Sequence, residues 1–264
     1  ASGIGRALAE ELGVAGARLV LADVEETALD QAVAELGERG VEVLGVPTDV
    51  RDPAQLEALR DRTVEAFGTA HIVCNNAGVG GGGGMDTLTL ADWEWVLGVN
   101  LWGVIHGIRA FLPLLKAQDE GHIVNTASVA GLFAGPFMGP YNASKSAVVA
   151  ISETLFNELA IGQSSVGVSV LCPAWVATGI ADSERNRPAE LANVGADQAA
   201  AAGVAELMRG VIASGMDPAE VASAVHESIR TGRFYILTHD TSVAAVRARM
   251  DAILSDGTPP FVLP

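Results

Sequence analysis

The chain has 264 residues, of which 49% are hydrophobic and 5% aromatic, and this length and composition fit one large α/β domain. Its formal net charge is −16 and no basic patch stands out, so a nucleic-acid partner is not expected. No apolar run is long enough to span a bilayer, and no Cys/His cluster has metal-ligand spacing, so neither a membrane nor a metal is expected. Cys74 and Cys172 each end a short apolar run and are expected to be buried, reduced thiols in a cytoplasmic protein.

Short apolar runs that are typical of strands alternate with helical patterns along the chain. The strand patterns lie at 18–23, 41–46, 71–74, 122–128, 166–172 and 233–238. The helical patterns lie near 25–39, 53–67, 90–116 and 241–254, with a further helix at Tyr141 and Lys145. This alternation predicts an α/β fold with a doubly wound parallel sheet and helices on both faces, in a single domain over residues 1–264.

Two stretches interrupt the alternation. Gly80–Gly84 is a run of glycines, which is expected to be flexible and mobile. Residues 173–217 form a long insertion that is rich in Ala, Asp, Glu, Arg and Asn. A loop this long in a compact domain favours a substrate-binding lid or a partly disordered segment, and its composition is equally compatible with a solvated decoration.

Tyr141 and Lys145, with Ser128 upstream of them, are the most informative residues of the chain. A tyrosine and a lysine four residues apart lie on one face of a helix, where the ammonium favours the phenolate and lowers the tyrosine pKa. A serine hydroxyl at the same point can hold a substrate oxygen, and the three groups can take a proton from an alcohol near neutral pH. Taken alone, such a pair is more often a surface tyrosine and a solvated lysine, so its interpretation depends on the other motifs.

Two glycines near the start of the chain, Gly3 and Gly5, precede a helical pattern. Glycines there let the backbone approach a pyrophosphate, which the free N–H groups and the dipole of a helix N-terminus favour. Asp23 ends the next strand, where a carboxylate can accept hydrogen bonds from both ribose hydroxyls of an adenosine and repel a 2′-phosphate. The glycines alone are a weak signal, but with the strand and the acid they indicate a dinucleotide site.

Together these motifs resemble the classical short-chain dehydrogenase/reductase family over the whole chain. Gly3 and Gly5 match the second and third glycines of the family's TGxxxGxG cofactor motif. The first glycine would precede Ala1, so the sequence is expected to be truncated and the sheet to lack its first, central strand. The resemblance implies a Rossmann-type fold.

Further segments match the family in its order. Asp49 and Val50 stand where the family's aspartate contacts the adenine amino group, and the NNAG motif at 75–78 stands where the backbone approaches the adenosine ribose. Asn100 matches the family's catalytic asparagine, and PAWVAT at 173–178 resembles the PGxVxT element at the nicotinamide. The cofactor-binding residues implied are Ser2, Gly3, Ile4, Gly5, Asp23, Asp49, Val50, Asn76, Ala77, Gly78, Tyr141, Lys145, Pro173, Val176 and Thr178.

The resemblance implies an NAD(P)-dependent oxidoreductase that interconverts a small-molecule secondary alcohol and a ketone. Tyr141 would be the acid/base, with its pKa lowered by Lys145 and by the positive nicotinamide ring. Ser128 would hydrogen-bond the substrate oxygen, and Asn100 would hold a water that links the lysine to solvent. NAD is preferred to NADP, because the positions that carry a basic residue in the family's phosphate-binding forms are Ser2 and Val24.

The substrate pocket is expected to be apolar, which favours an apolar or aromatic alcohol. Its candidate residues are Ser128, Ala130, Phe133, Phe137, Met138, Tyr141 and Trp175. Packing of Phe133 and Phe137 against the neighbouring loop is an equally supported alternative. The 173–217 region also resembles a subgroup of aromatic alcohol dehydrogenases, and Arg185 and Arg187 are interpreted as surface residues rather than as an anion site.

The family resemblance also implies a homodimer or homotetramer built through the helices at 90–116 and 141–161. Thr89 and Asp92 resemble a capping box at the start of the first of these helices. Three alternatives remain at this point: an NADP-dependent carbonyl reductase, a nucleotide-binding protein without turnover, and a chain made inert by truncation.

Overall fold

The strands and helices lie close to the predicted positions. The computed structural model describes residues 1–193, 206 and 209–260. The strands are β1 Leu19–Asp23, β2 Val43–Pro47, β3 Ile72–Asn75, β4 His122–Thr126, β5 Gly167–Cys172 and β6 Tyr235–Leu237. The helices are α1 Gly3–Val14, α2 Glu26–Glu38, α3 Pro53–Phe67, α4 Leu90–Leu97, α5 Gly103–Gln118, α6 Gly139–Ile161, α7 Pro218–Thr231 and α8 Asp240–Leu254.

Helix α7 has no counterpart among the predicted elements, although its start carries a strong signal. The side chain of Asp217 accepts a hydrogen bond from the backbone of Ala219, and Pro218 occupies the first turn. An acidic N-cap followed by proline is a typical helix start. The predicted insertion at 173–217 ends at this cap.

All paired strands are parallel and form two sets. β1 pairs with β2, and the second set has the order β3-β4-β5-β6. Within the described part of the chain β1 and β3 are not paired with each other, and both border one large cavity. The cavity therefore lies between the two sets of strands.

Helices cover both faces of the larger set of strands. On one face, Leu115 of α5 and Leu155 of α6 pack with Ile123 of β4 in the same apolar cluster. On the other face, Leu8 of α1 and Val221 of α7 pack with strand residues such as Val124 and Leu171. Every residue of β4 is buried. Burial on both faces is typical of a doubly wound parallel sheet, so the predicted fold class is confirmed.

The predicted helix at 90–116 is one continuous segment from Leu90 to Gln118 with a π-helical turn at Gly98–Trp102. By length and composition alone it is apolar enough to cross a membrane, with a mean hydropathy of 1.3, so the expectation that no segment passes this test was wrong. Of its most apolar window, 44% is buried inside the fold. Part of its apolar surface therefore packs into the core, as Leu115 does against β4.

The start of α4 and the glycine run are packed together more closely than the sequence suggests. Thr89 and Asp92 form both hydrogen bonds of the capping box, as predicted. A Cβ atom on Gly81 would lie 2.5 Å from Val96 Cγ2, and one on Gly82 would lie 2.5 Å from the Phe137 carbonyl oxygen. The sequence predicts a mobile run, whereas the structure requires glycine there because the backbone lies against its neighbours.

Candidate active site

The residues proposed for catalysis come from segments that meet at the carboxyl ends of the strands. Ser128 follows β4, Tyr141 and Lys145 lie at the start of α6, and Asn100 lies in the π-helical turn. Ser128, Tyr141 and Lys145 line one cavity, which extends to the space between β1 and β3. The topology thus brings together residues that are far apart in sequence.

Lys145 is a buried ammonium held at the end of β4. Its side chain crosses the end of that strand, where Nζ donates a hydrogen bond to the carbonyl oxygen of Thr126 at 2.8 Å. The residue is 2% exposed, and burial lowers its pKa from 10.5 to about 8. Nζ lies 5.6 Å from the centroid of the Tyr141 ring. The predicted proximity of the lysine and the tyrosine is therefore present in the structure.

The pKa of Tyr141 differs from the simple expectation. Burial raises the pKa of the phenol, and a hydrogen bond from Ser128 partly offsets this by favouring the phenolate. The sequence argument expects Lys145 to bring the pKa of Tyr141 below its usual value, whereas the net shift is upward because burial outweighs the other effects. The ammonium lies beside the ring and donates to Thr126. Ser128 is itself held in place: its Oγ accepts from the Ala130 N–H at 3.1 Å.

Asn100 fixes the loop that follows the NNAG motif. It is fully buried, its Oδ1 accepts from the Val79 N–H at 2.8 Å, and its Nδ2 donates to the Val79 carbonyl at 3.0 Å. A Cβ atom on Gly78 would lie 3.5 Å from Asn100 Oδ1 and 3.6 Å from Lys145 Nζ. Gly78 therefore borders the space between the amide and the ammonium, and Asn100 holds the backbone directly after the motif.

The start of α1 fits a dinucleotide pyrophosphate. Helix α1 begins at Gly3, and Ser2 at its N-cap makes no side-chain capping bond, so the first N–H groups are left for another acceptor. Gly3 has a φ of +51°, and a Cβ atom on Gly5 would lie 2.8 Å from Asn76 Nδ2. Residues 1–5 line the same cavity as the catalytic side chains. Side chains in place of the glycines at the start of α1 would fill the space that a pyrophosphate needs.

The two carboxylates predicted at the adenosine end both line the cavity. Asp23 accepts from the Glu25 N–H at 2.9 Å. Burial raises the pKa of Asp49, but hydrogen bonds from Arg51 outweigh burial and bring the pKa below its usual value. Arg51 donates to both oxygens of Asp49, at 2.7 to 3.1 Å. The adenine contact expected of Asp49 therefore competes with this ion pair.

The remaining predicted cofactor residues also line the cavity. They are Ile4, Val50, Asn76, Ala77, Gly78, Pro173, Val176 and Thr178. Thr178 lies against α1, since a Cβ atom on Gly3 would lie 3.0 Å from its Cγ2. The loop after β5 therefore meets the glycine turn at one edge of the site.

The predicted substrate residues divide into two groups. Ala130, Met138 and Trp175 line the cavity. Phe133 and Phe137 do not: Phe133 is 5% exposed and packs into a core cluster with Ala245 of α8, and Phe137 is 66% exposed. Phe133 follows the 3-10 turn at Val129–Gly131 and is held inward by packing against Ala245, while Phe137 has a φ of +60°.

Sequence reasoning placed the 173–217 insertion at the substrate pocket, but apart from Pro173, Trp175, Val176 and Thr178 it singled out none of the insertion's residues as lining the cavity, including those of the segment Gly179–Leu191. Ile180, Ser183, Asn186 and Pro188 line the cavity. Arg185 also lines the cavity. The side chain of Arg187 is 7% exposed, so its interpretation as a surface arginine was wrong. The segment is polar and lacks helical periodicity, so only its position after β5 indicated that it lies at the cavity. Residues 194–205, 207 and 208 of the predicted insertion lie outside the described residues.

Comparisons with known proteins agree with this geometry. The family described as short chain dehydrogenase matches residues 1–189. A "C alpha-dehydrogenase" of Sphingobium sp. (strain NBRC 103272 / SYK-6) is 32% identical, with 98% of this chain and 84% of that protein covered.

Two solved structures extend the similarity. A short chain dehydrogenase/reductase from Burkholderia phymatum in complex with NAD is 48% identical with a TM-score of 0.94, covering 100% of this chain and 94% of that chain. A variant of actinorhodin polyketide ketoreductase with NADPH is 32% identical with a TM-score of 0.74, covering 89% of this chain and 90% of that chain. With the matched motifs, the parallel sheet and the shared cavity, these similarities establish that the chain belongs to the short-chain dehydrogenase/reductase family and is an oxidoreductase that binds a nicotinamide nucleotide.

Proposed function

We propose that the protein interconverts a secondary alcohol and a ketone with NAD, with Tyr141 as the acid/base. The observation that carries the proposal is one buried arrangement: the Ser128 hydroxyl bonded to Tyr141, with the Lys145 ammonium beside the ring. All three line the cavity that also contains the glycine turn of α1. A scaffold without turnover has no use for a buried, weakly solvated ammonium next to a phenol.

Each residue has a separate task in the reaction. When bound, the nicotinamide ring supplies or accepts the hydride. In ketone reduction Tyr141 donates its proton to the substrate oxygen, and Ser128 donates a hydrogen bond to the same oxygen as negative charge develops there. Lys145 stabilises the phenolate that forms, which is worth most in a site shielded from water. Alcohol oxidation follows the same path in reverse.

The proposal of NAD rather than NADP rests on charge at the adenosine end. Asp23 and Glu25 both line the cavity there, and their carboxylates disfavour a 2′-phosphate. Arg185 also reaches this end, but its guanidinium is already paired with Glu25 at 2.7 Å. The relative with the TM-score of 0.94 holds NAD, which supports the same choice.

The substrate is proposed to be a bulky apolar or aromatic secondary alcohol, or the corresponding ketone. The cavity beyond Ser128 and Tyr141 is lined by Met138, Trp175 and Ile180, and side chains of this kind favour apolar surface. One similar protein is named C alpha-dehydrogenase, so alcohol oxidation is the direction of the reaction to assay first.

Replacement of Tyr141 by phenylalanine tests the acid/base role. Tyr141→Phe keeps the ring but removes the transferable proton, so kcat is expected to fall about 100- to 10,000-fold while NADH binding is retained. The assay follows NADH absorbance with a panel of secondary alcohols. In the same assay the wild type should have a higher kcat/KM for aryl and long-chain alcohols than for polyols. Turnover of the variant near the wild-type level would exclude Tyr141 as the acid/base.

The ratio of kcat/KM for NAD and NADP tests the cofactor proposal. The wild type should prefer NAD, and Asp23→Ser should narrow that preference roughly tenfold or more, because it removes a charged acceptor for the ribose hydroxyls. Asp30→Asn on the exposed side of α2 removes the same charge and should leave the ratio unchanged. A wild type that prefers NADP contradicts the proposal.

The pH dependence of ketone reduction should follow Lys145. Because burial lowers the pKa of this lysine to about 8, the ammonium is lost as the pH rises through that value, and kcat/KM for reduction should fall there. Oxidation needs the deprotonated phenol, whose pKa burial raises, so its kcat/KM should rise with pH from the neutral range. Initial rates in both directions measure this, and reduction that accelerates through pH 8 is the contrary result.

We also propose a homodimer or homotetramer that associates through the helices at 90–116 and 141–161. Trp102 and Phe156 on these helices are 52% and 43% exposed. Trp102→Glu should shift the sedimentation of the wild-type oligomer towards the monomer, because a charge is poorly tolerated in an apolar interface. Val14→Glu, at an exposed site on α1, serves as the control. A wild type that sediments as a monomer at micromolar concentration contradicts the proposal.

A further inference from the structure

The segment Gly179–Leu191, called the strap below, is attached to both sides of the active-site cavity. Along its length it lines that cavity, through Ile180, Ser183 and Asn186 among others. Ser183 holds its middle, because its Oγ accepts from the Gly80 N–H at 3.0 Å. A Cβ atom on Gly80 would lie 3.0 Å from the Ile180 carbonyl oxygen, so the strap lies directly on the loop after the NNAG motif.

One attachment joins the strap to α4 through Arg187. Its guanidinium donates to Asp92 at 2.8 Å and to both oxygens of Glu184 at 2.7 and 2.8 Å. The same group lies 4.2 Å from the centroid of the Trp95 ring, which is 1% exposed. The side chains of Arg187 and Asp92 are 7% and 13% exposed, so water and salt screen this attachment weakly.

The other attachment joins the strap to the adenosine end through Glu25. The Oε1 atom of Glu25 accepts from Arg185 Nη2 at 2.7 Å, from Arg185 Nε at 3.1 Å and from Asn186 Nδ2 at 2.7 Å. The backbone N–H of Glu25 donates to Asp23 at 2.9 Å. One residue thus links the strap to the carboxylate that the proposed function assigns to the ribose.

The two attachments differ in how easily they open. Arg185 and Glu25 are 43% and 33% exposed, so solvent competes for their charges and salt screens them. The buried attachment at Arg187 would leave an uncompensated charge if it separated, and it therefore stays closed. The attachment at Glu25 is therefore the weaker of the two.

We propose that Glu25 is a positioning residue that holds the strap across the cofactor cleft, so that release of its contacts with Arg185 and Asn186 sets the rate at which the dinucleotide leaves. The proposal rests on the proposed function, since it takes NADH as the ligand of the cleft. A dinucleotide whose ribose is held by Asp23 is enclosed between the strand ends and the strap. Its departure requires the weaker attachment to open while Arg187 remains in place.

The test measures NADH dissociation rather than turnover. Stopped-flow fluorescence follows displacement of NADH by excess ADP-ribose from the wild type and from Glu25→Gln, which keeps the shape of the side chain but removes its charge. The dissociation rate constant should rise roughly threefold to tenfold in the variant. Glu26→Gln, the exposed neighbour on α2, removes the same charge and should release NADH at the wild-type rate.

A double-mutant cycle separates the contact from a general structural effect. Arg185→Met should also speed NADH release, and the double variant should be no faster than the faster single variant, because both changes open the same attachment. Higher ionic strength should speed release from the wild type more than from Glu25→Gln. Additive effects of the two substitutions, or an equal response to salt, would overturn the role of Glu25.

The outcomes also distinguish this proposal from the proposed function. If NADH binds to the wild type and Glu25→Gln releases it at an unchanged rate, the role of Glu25 falls and the dehydrogenase proposal stands. If the wild type does not bind NADH, both proposals fall. Equal thermal unfolding midpoints of the variants and the wild type show that a faster release is not caused by loss of the fold.

Discussion

The active site depends on the burial of one positive charge at the end of β4. Burial moves the pKa of Lys145 from 10.5 to about 8, so folding at neutral pH bears a cost of about 3 kcal/mol for holding the ammonium. The cost decreases as the pH rises above 8, because the folded protein then releases the proton. The bond to the Thr126 carbonyl offsets part of it. Close packing fixes the lysine, since a Cβ atom on Gly131 would lie 2.5 Å from its carbonyl oxygen.

The parallel topology explains how distant residues reach this charge. Strands that run in one direction deliver the segments after their carboxyl ends to one edge of the sheet, where ligands of open α/β sheets bind. The NNAG motif follows β3, Ser128 follows β4 and Pro173 follows β5. Ser128 also contacts the loop after the next strand, because its Oγ lies 3.3 Å from the Pro173 carbonyl oxygen. The proposed catalytic serine and the segments proposed to bind the cofactor thus lie at one edge of the sheet.

The features that could be predicted from the sequence are those that depend on residues close together in the chain. The strand patterns, the capping box at Thr89 and the YxxxK pair are defined by neighbouring residues, and the structure confirms their positions. The direction of Phe133 depends on a turn and on packing against Ala245, far along the chain, and was not predictable from the residues around it. The contact between Glu25 and Arg185 joins residues 160 positions apart, and no periodic pattern indicates it.

The opposite pKa shifts of Tyr141 and Lys145 limit how this proposed catalytic pair can generate a base. Burial raises the pKa of Tyr141 and lowers that of Lys145, so each group by itself favours its neutral form. The phenolate and the ammonium can coexist only if each offsets the cost of burying the other. The hydrogen bond from Ser128 favours the phenolate, and it is present without a substrate in the site. A neutral phenol is therefore the resting form, which suits proton donation, and oxidation requires further positive charge near the ring.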